Sequence, residues 1–197
     1  MRDAKRTATV ILQAAERVIL QSGIEKTTID EVAREAGVSK GGVLHHFPGK
    51  EAIVVGLLAS LIQKFEADVK AKQALDPDPG AFTRAYLKAA TEWNDHCIEV
   101  SFSLKAGFRN CPELQKLLAD AHSRWQTCIE NDGIDPVAAS MVRLATDGLW
   151  LARVHHAVIP SEPFRSALIK RLVALTRTSN VPTPAKSARS KKSAKSR

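Results

Sequence analysis

The chain has 197 residues, 44% of them hydrophobic, which is enough for one compact body or for a small domain joined to a larger one with a substantial core. No stretch reaches the roughly eighteen uninterrupted apolar residues of a membrane span, and charges run through the opening residues where a signal peptide would be apolar, so the expected location is the cytoplasm, with no membrane partner. The formal net charge is +8, but six cations and no acid lie after Asn180, so the basicity is mostly an appendage.

Residues 4–21 carry Val10, Ile11, Ala14, Ala15, Val18 and Ile19 at helical spacing, and Gly23 is placed to end that helix. Arg2, Lys5 and Arg6 precede or open it. Thr28 then stands three residues ahead of Glu31, the reciprocal arrangement in which the hydroxyl takes an orphan amide and the carboxylate reaches back. Ile29, Val32, Ala33 and Ala36 form one apolar stripe, until Gly37 supplies the left-handed conformation that ends a helix without a Cβ penalty. Ser39 follows as an N-cap, so Lys40 to His46 form a second short helix entered by a tight turn. That spacing is the one expected of a helix-turn-helix, which places its second helix in the DNA major groove. Pro48-Gly49 closes the unit.

The string TTIDEVAREAGVSKGGVLHHFPGK, residues 27–50, resembles the DNA-binding segment of the TetR/AcrR family of bacterial transcriptional regulators. Ile29, Val32, Ala33, Ala36, Gly37, Val38, Ser39, Gly41, His46, Phe47 and Lys50 carry the resemblance. Gly42 and Leu44 depart from it, standing where the family often has a small hydroxyl residue and usually a tyrosine. Both departures remove polar groups from the helix facing DNA. The resemblance implies an all-α protein. Its parts would be an N-terminal helix-turn-helix domain over residues 4–50, a long helix leading into an antiparallel helical effector-binding and dimerisation domain over 51–178, and a basic tail over 179–197. It further implies a repressor that binds a palindromic double-stranded DNA operator as a homodimer and is released by a small effector.

From Lys50 the spacing of Ile53, Val54, Leu57, Leu58, Leu61, Ile62, Phe65 and Val69 predicts a long helix, broken near Leu75 by DPDPG. A rigid rod starting at the DNA-binding unit can carry a shift from one end to the other. Asp78-Pro79 starts the next helix in the cap-then-proline pattern, with Phe82, Tyr86, Ala89, Ala90 and Trp93 along it. Ile98 to Phe108 is a shorter apolar element. Cys111-Pro112 opens a helix with Leu114, Leu117, Leu118, Ala121, Trp125 and Cys128 inward, ended by NDGIDP. Asp135-Pro136 starts one through Val158, and Ser161-Glu162-Pro163 starts the last, through about Thr178. No strand-like alternation and no internal repeat occurs, so the body reads as all-α.

Between Met141 and Val158 apolar residues fall on more than one side, and Ala145, Gly148 and Ala152 place small residues where another helix can approach closely. Phe164, Leu168, Leu172 and Leu175 supply a matching stripe. In the resembled family the last long pair of helices packs on the same pair of a second subunit; the alternative is a helix central to its own monomer. An isologous dimer is favoured because a helix-turn-helix reads paired half-sites about one DNA turn apart.

For DNA, the amide ends at Thr28 and Ser39 can receive phosphate oxygens, and Lys50 can add a charge-assisted contact. Base readout falls to Lys40, His45 or the main chain and small faces of Gly41, Gly42 and Val43. Each helical glycine costs about 1 kcal/mol, so close backbone approach to DNA is one reason for the pair, with packing on the preceding helix the alternative for Gly41. Arg2, Lys5 and Arg6 suit phosphates or a minor groove, or are solvated surface charge. His45 and His46 point about 100° apart with no third ligand nearby, which speaks against a metal; His46 is assigned to hydrogen bonding or packing.

Tyr86, Trp93, Phe102, Phe108, Trp125, Met141, Trp150 and His155 are candidates to line an effector pocket, with plain core as the alternative. Such walls favour a hydrophobic or planar molecule. Asp147, Arg143, Arg109 or His155 could orient its polar end, unless Arg143 and Asp147 simply pair within their helix. Cys97, Cys111 and Cys128 are an odd set without CxxC spacing, read as buried thiols rather than oxidant sensors or zinc ligands. No phosphate loop, metal-spaced cluster or nucleophile motif is present, so neither a cofactor nor an enzyme is expected. The tail, with Lys186, Arg189, Lys191, Lys192, Lys195 and Arg197, reads as a disordered polycationic arm for phosphate backbone or as a solubilising terminus. It also keeps open an architectural, sequence-tolerant mode of DNA binding.

Overall fold

The computed structural model describes residues 2–104 and 111–177, with the side chains of Arg2 and Asp3 left aside; Phe108, Arg109, Thr178 and the basic tail lie outside the described residues. Among the described residues the chain forms nine α-helices and no strand. They are α1 (Arg2–Ser22), α2 (Ile29–Ala36), α3 (Lys40–His46), α4 (Lys50–Gln73), α5 (Ala81–Glu92), α6 (Asp95–Leu104), α7 (Pro112–Glu130), α8 (Pro136–Val154) and α9 (Phe164–Leu175).

The first three helices are bounded by their own local chemistry. Gly23 ends α1 at φ +82°, its N–H bonded to the Ile19 carbonyl at 2.8 Å. At the start of α2 the Thr28 hydroxyl accepts the Glu31 amide at 3.2 Å while the Glu31 carboxylate accepts the Thr28 amide at 2.9 Å. Both halves of the capping box are present. Gly37 stands at φ +67° and turns the chain, and Ser39 Oγ accepts the Gly42 amide at 3.0 Å to start α3. Val10, placed by its spacing on the α1 stripe, is 36% exposed, whereas Ile11, Ala14 and Ala15 are fully buried.

Helix α4 joins the two halves. It packs on α1 at one end and on α5, α6 and α7 along the rest. Ile53, Val54, Leu57, Leu58, Leu61, Ile62, Phe65 and Val69 are all buried, as the stripe predicts. One continuous core therefore runs from Ile11, Val32 and Val43, through α4, to Tyr86, Leu114 and Trp125. A second, smaller cluster joins Leu87, Val142 and Leu172 beneath α8 and α9.

Several boundaries differ from the sequence reading, among them the start of α6, at Asp95 rather than Ile98. Helix α5 begins at Ala81, not at Asp78-Pro79, because Gly80 at φ +84° interrupts the chain between proline and helix. Its cap is supplied from the α7–α8 loop: the Asp132 carboxylate accepts the amides of Phe82 (3.0 Å) and Thr83 (2.7 Å) and the Thr83 hydroxyl (2.7 Å). Helix α8 stops at Val154, before Val158. His156 takes φ +51°, and the Ala157 N–H bonds the Ala152 carbonyl at 2.8 Å, which closes the helix without a glycine. Helix α9 runs from Phe164 to Leu175, with the Ser166 amide received by the Glu162 carboxylate at 3.2 Å.

Arg84 fastens the α4–α5 loop to the end of α9. Its guanidinium takes both carboxylate oxygens of Asp76 (2.6 and 3.0 Å), the Pro79 carbonyl (2.9 Å) and the Thr176 hydroxyl (3.2 Å). The side chain is 7% exposed, so this is a buried charge with its donors filled. Its bonds hold the Asp76 carboxyl below the usual carboxylate range.

Replacing Asp132 with alanine strands three donors at the start of α5. Loss of about 1–2 kcal/mol in urea unfolding is expected, with asparagine restoring part of it. Asp78→Ala should cost less than about 0.5 kcal/mol, because its carboxylate reaches only the exposed Arg177 at 3.3 Å. Equal losses for the two would refute the remote cap.

Candidate functional site

The helix-turn-helix unit presents one face of α3 outward. Val43 is fully buried against the core, so its side chain cannot meet a base, which corrects its place among the readout candidates. Lys40, Gly41, Leu44 and His45 are exposed, Leu44 to 40%. A Cβ built on Gly41 would meet nothing nearer than Ser39 Oγ at 3.9 Å, whereas one on Gly42 would sit 3.3 Å from that atom. Packing thus gives a reason for Gly42 and none for Gly41. His46 is half-buried, its ring edge-on to His45 at 5.3 Å.

The charges of this unit are already partly engaged. Lys40 Nζ reaches Asp30 at 2.9 Å, tying α3 to α2 by an exposed pair that DNA can replace at little cost. Lys50 Nζ donates to the carbonyls of Ile24 (2.9 Å) and Glu25 (3.0 Å), fastening the α1–α2 turn. Its expected phosphate contact is left with the remaining N–H. The first turn of α2, after Thr28, carries Asp30 and Glu31, which oppose a phosphate there; that of α3, after Ser39, carries no acid. Lys5 and Arg6 are exposed on α1.

Behind the unit α4 passes very close to its neighbours. A Cβ on Gly56 would lie 3.0 Å from both Leu12 Cδ2 and Phe47 Cε1, so glycine lets α4 seat against α1 and the end of α3 without those side chains giving way. A second link joins α1 to α6, where His96 Nε2 and Glu16 Oε1 are 2.5 Å apart.

Just beyond Gly56, α4 becomes a wall of a cavity of about 90 Å³. Leu58, Leu61, Ile62 and Phe65 form that wall, and Tyr86, Trp93, Trp125 and Trp150 face them. All three tryptophans of the chain are among the lining residues. Phe65 is the hub of the rings, edge-on to Tyr86 (5.1 Å), Trp125 (5.1 Å) and Trp93 (5.5 Å). Four of the expected pocket residues therefore converge. Three others do not: Phe102 is 39% exposed against the His156 ring, Met141 is 55% exposed on the outer side of α8, and His155 is exposed beyond its end. Their register turns them away from α4. Phe108 lies outside the described residues.

The polar side of the cavity was only half legible. Tyr86 donates to Asp147 Oδ1 at 2.6 Å, and Arg143 Nη2 meets Asp147 Oδ2 at 3.2 Å, the pair within one helix that the spacing allows. Arg143 also donates from Nη2 to His122 Nδ1 (2.7 Å) and from Nη1 to Gln126 Oε1 (2.6 Å). Burial raises the Tyr86 hydroxyl above its ordinary range, and the Asp147 charge adds to this. Burial lowers His122, so the neutral imidazole is favoured. His122, Ser101, Leu104 and Leu118 line the cavity without any motif to announce them; only their inward register could have done so. Cys97 is half-buried, with its thiol pushed up by burial, Cys111 is buried, and Cys128 is exposed.

Helix α8 offers a further face. Val137, Met141, Leu144, Gly148 and Leu151 follow one another at spacings of four, three, four and three, and the four side chains are 47–64% exposed. Gly148 has no atom within 4 Å of a built Cβ, and Phe164, the first residue of α9, is 73% exposed. The other expected interface residues turn inward. Leu172 is 5% exposed in the small core, Ala145, Leu168 and Leu175 pack against that core, and Ala152 is half-buried. The inner and outer stripes of α8 are thus separate, and the outer one was underestimated. No described helix is long and apolar enough to cross a membrane.

Comparison with known proteins places both halves. Residues 11–57 match the family described as bacterial regulatory proteins, tetR family, and residues 80–177 match the tetracyclin repressor-like C-terminal domain. The regulator TtgR of Pseudomonas putida is 33% identical over 92 residues, 46% of this chain and 44% of TtgR. RutR of Escherichia coli is 35% identical over 89 residues, 45% of this chain and 41% of RutR. The chain spans less than half the length of these relatives. Among solved structures, the multidrug binding protein EbrR complexed with ethidium has TM-score 0.65 and 25% identity over 84% of this chain and 97% of its own. A transcriptional regulator from Rhodococcus sp. Rha1 shares the fold at TM-score 0.67 and 24% identity, over 89% of this chain and 99% of its own. By these matches to both of its domains, the chain belongs to the TetR family of bacterial regulatory proteins.

Proposed function

We propose that the protein is a homodimeric transcriptional repressor that binds a palindromic operator and is released when a planar, largely apolar effector enters the cavity. The observation that carries this reading is the double use of α4. Its residues Leu58 to Phe65 wall the cavity, while Gly56, just before them, is locked against Leu12 of α1 and Phe47 at the end of α3.

The size of the cavity gives the direction of the effect. Benzene fits an apolar cavity of about 150 Å³. A space of about 90 Å³ takes a larger ring only if its walls part. Of those walls, α4 is the one continuous with the DNA-binding unit, so an effector that needs α4 displaced binds less well to the operator-competent form. It then lowers DNA affinity by that difference. EbrR, a structural relative crystallised with ethidium and with imidazole, supports an aromatic ligand class. The wider cleft beside α5, α8 and α9 is a weaker candidate, because Arg153 and Arg165 on its rim are already paired with Asp95 and Glu162.

For DNA, readout is assigned to the exposed face of Lys40, Gly41, Leu44 and His45, with Lys40 exchanging Asp30 for the duplex. Thr28 and Ser39 position the two short helices, and Gly41 admits the close approach of backbone to base edges. With few polar groups on this face, DNA shape and the spacing of the two half-sites share the discrimination. The outward stripe of α8, with Phe164, is the proposed contact between subunits. A second copy supplies the same stripe, and small residues such as Gly148 let the two α8 helices come close.

The first test is binding to the promoter DNA beside the protein's own gene at physiological salt. Affinity at least about a thousandfold above random DNA is expected. Equal affinity would sink the specific regulator and leave a sequence-tolerant binder. Replacing Lys40 and His45 together by alanine should collapse that ratio; an unchanged ratio moves base readout elsewhere.

Leu144→Glu tests the dimer. Its side chain is 64% exposed in the monomer, so a charge there does not disturb the fold but is buried unpaired in an α8–α8 contact. Sedimentation velocity should show a monomer with a native far-ultraviolet spectrum, and operator affinity should fall at least roughly a hundredfold. A dimer of unchanged stability would exclude this face.

A further inference from the structure

We infer that the cavity selects an uncharged aromatic ligand bearing a hydrogen-bond acceptor, and that the Arg143–Asp147–His122 cluster enforces that choice by rejecting organic cations. This inference rests on the cavity being the effector site, as proposed above.

Among the described residues the only carboxylate lining the cavity is Asp147, and it is engaged on both oxygens. Oδ1 accepts the Tyr86 hydroxyl at 2.6 Å, and Oδ2 faces Arg143 Nη2 at 3.2 Å. Arg143 and Asp147 cancel each other, so the site has no net negative charge to offer a cation. A cation entering it loses its water and gains no counter-ion, which is costly in an apolar space. Ring faces attract cations, but that attraction is weaker than the desolvation it would have to offset. A cluster with an unpaired carboxylate would behave in the opposite way.

What the cluster does offer is donors. A guanidinium can only donate, so His122 Nδ1, 2.7 Å from Arg143 Nη2, must be the acceptor of that bond. The neutral ring then carries its proton on Nε2. This fixes the tautomer from geometry. The Nε2–H has no partner within the described chain, and His122 is one of the lining residues. Behind it Arg143, which is not itself a lining residue, has a buried Nε without a hydrogen-bond partner among the described residues. The donor set on the cavity wall is thus left one acceptor short, at His122, while both oxygens of Asp147 are engaged. A ring nitrogen or carbonyl on a flat ligand is the group that completes this set.

Three fused two-ring molecules separate the possibilities: naphthalene, without an acceptor; quinoline, with a ring nitrogen and uncharged at neutral pH; and 1-methylquinolinium, a fixed cation larger by one methyl group. Because every tryptophan of the chain lines the cavity, quenching of intrinsic emission in the full-length protein reports its occupancy. Quinoline is expected to bind at least about tenfold more tightly than 1-methylquinolinium. It should also exceed naphthalene by roughly fivefold, the worth of one neutral hydrogen bond. His122→Phe keeps a ring in place and removes the donor, so the quinoline-to-naphthalene ratio should fall to about one.

Arg143→Met frees the Asp147 charge and should reverse the preference toward the cation. If that variant fails to fold, Asp147→Asn, which still accepts from Tyr86 and leaves Arg143 unopposed, should widen the discrimination against the cation. Equal or tighter binding of 1-methylquinolinium to the unmodified protein would overturn the inference, as would a ratio untouched by His122→Phe. Saturable binding without discrimination would overturn it and leave the effector site standing. Absence of saturable quenching by all three would remove the effector site and the inference together.

Discussion

The structure depends on one constraint, that α4 must be buried along nearly its whole length by two different sets of partners. Near its start it is held by α1 and the end of α3, and further on by α5, α6 and α7. A helix apolar on a broad arc has no stable position on a surface, so it stays between layers. At Gly56 even a methyl group would press on Leu12 and Phe47 at 3.0 Å and make them give way. The core on either side is therefore continuous, and the DNA-binding unit cannot tilt without α4 moving too.

Around that rod, the connections are secured by long-range polar contacts rather than by loop propensity. Arg84 gathers the α4–α5 loop and the end of α9, and Asp132 caps a helix 50 residues earlier in the chain. Each is a charged group with its hydrogen bonds filled, so each holds geometry well while contributing modestly to net stability. The cavity cluster uses the same chemistry differently. There, among the described residues, His122 Nε2 and Arg143 Nε remain without protein partners, and the first belongs to a wall of the cavity.

This distribution explains what was legible in the sequence. Helices α2 and α3 were readable to their ends because Thr28, Glu31, Gly37 and Ser39 act within a few residues of one another. The start of α5 was not, because its cap is remote in sequence and the local Asp78-Pro79 pattern is overridden by the left-handed Gly80. The end of α8 was missed for a related reason: His156 takes the role normally signalled by glycine. Of the cavity walls, Tyr86, Trp93, Trp125 and Trp150 could be singled out because large aromatics are rare in this chain. Phe102 and Met141 share that chemistry but sit at an outward register, and register relative to a third helix is a tertiary property. His122 carries no motif. Lys50 illustrates the converse case, since a residue that fits the family's DNA-binding string is occupied here with the carbonyls of Ile24 and Glu25.

Tightness near Gly56 and openness beside Phe65 have to be considered together. A protein interior packed to crystal density passes a displacement on instead of absorbing it. If the space behind α4 were large, a ligand would fill it and nothing else would move. If the contact with Leu12 and Phe47 were loose, movement of α4 would be lost before reaching α3. A small cavity about two helical turns from a close contact, both on one rigid helix, satisfies both conditions at once. The contact proposed for the outward stripe of α8 would add the remaining requirement. Two recognition helices read paired half-sites only when their separation is set, and a rigid contact between α8 helices would turn a tilt of α4 in each subunit into a change in that distance.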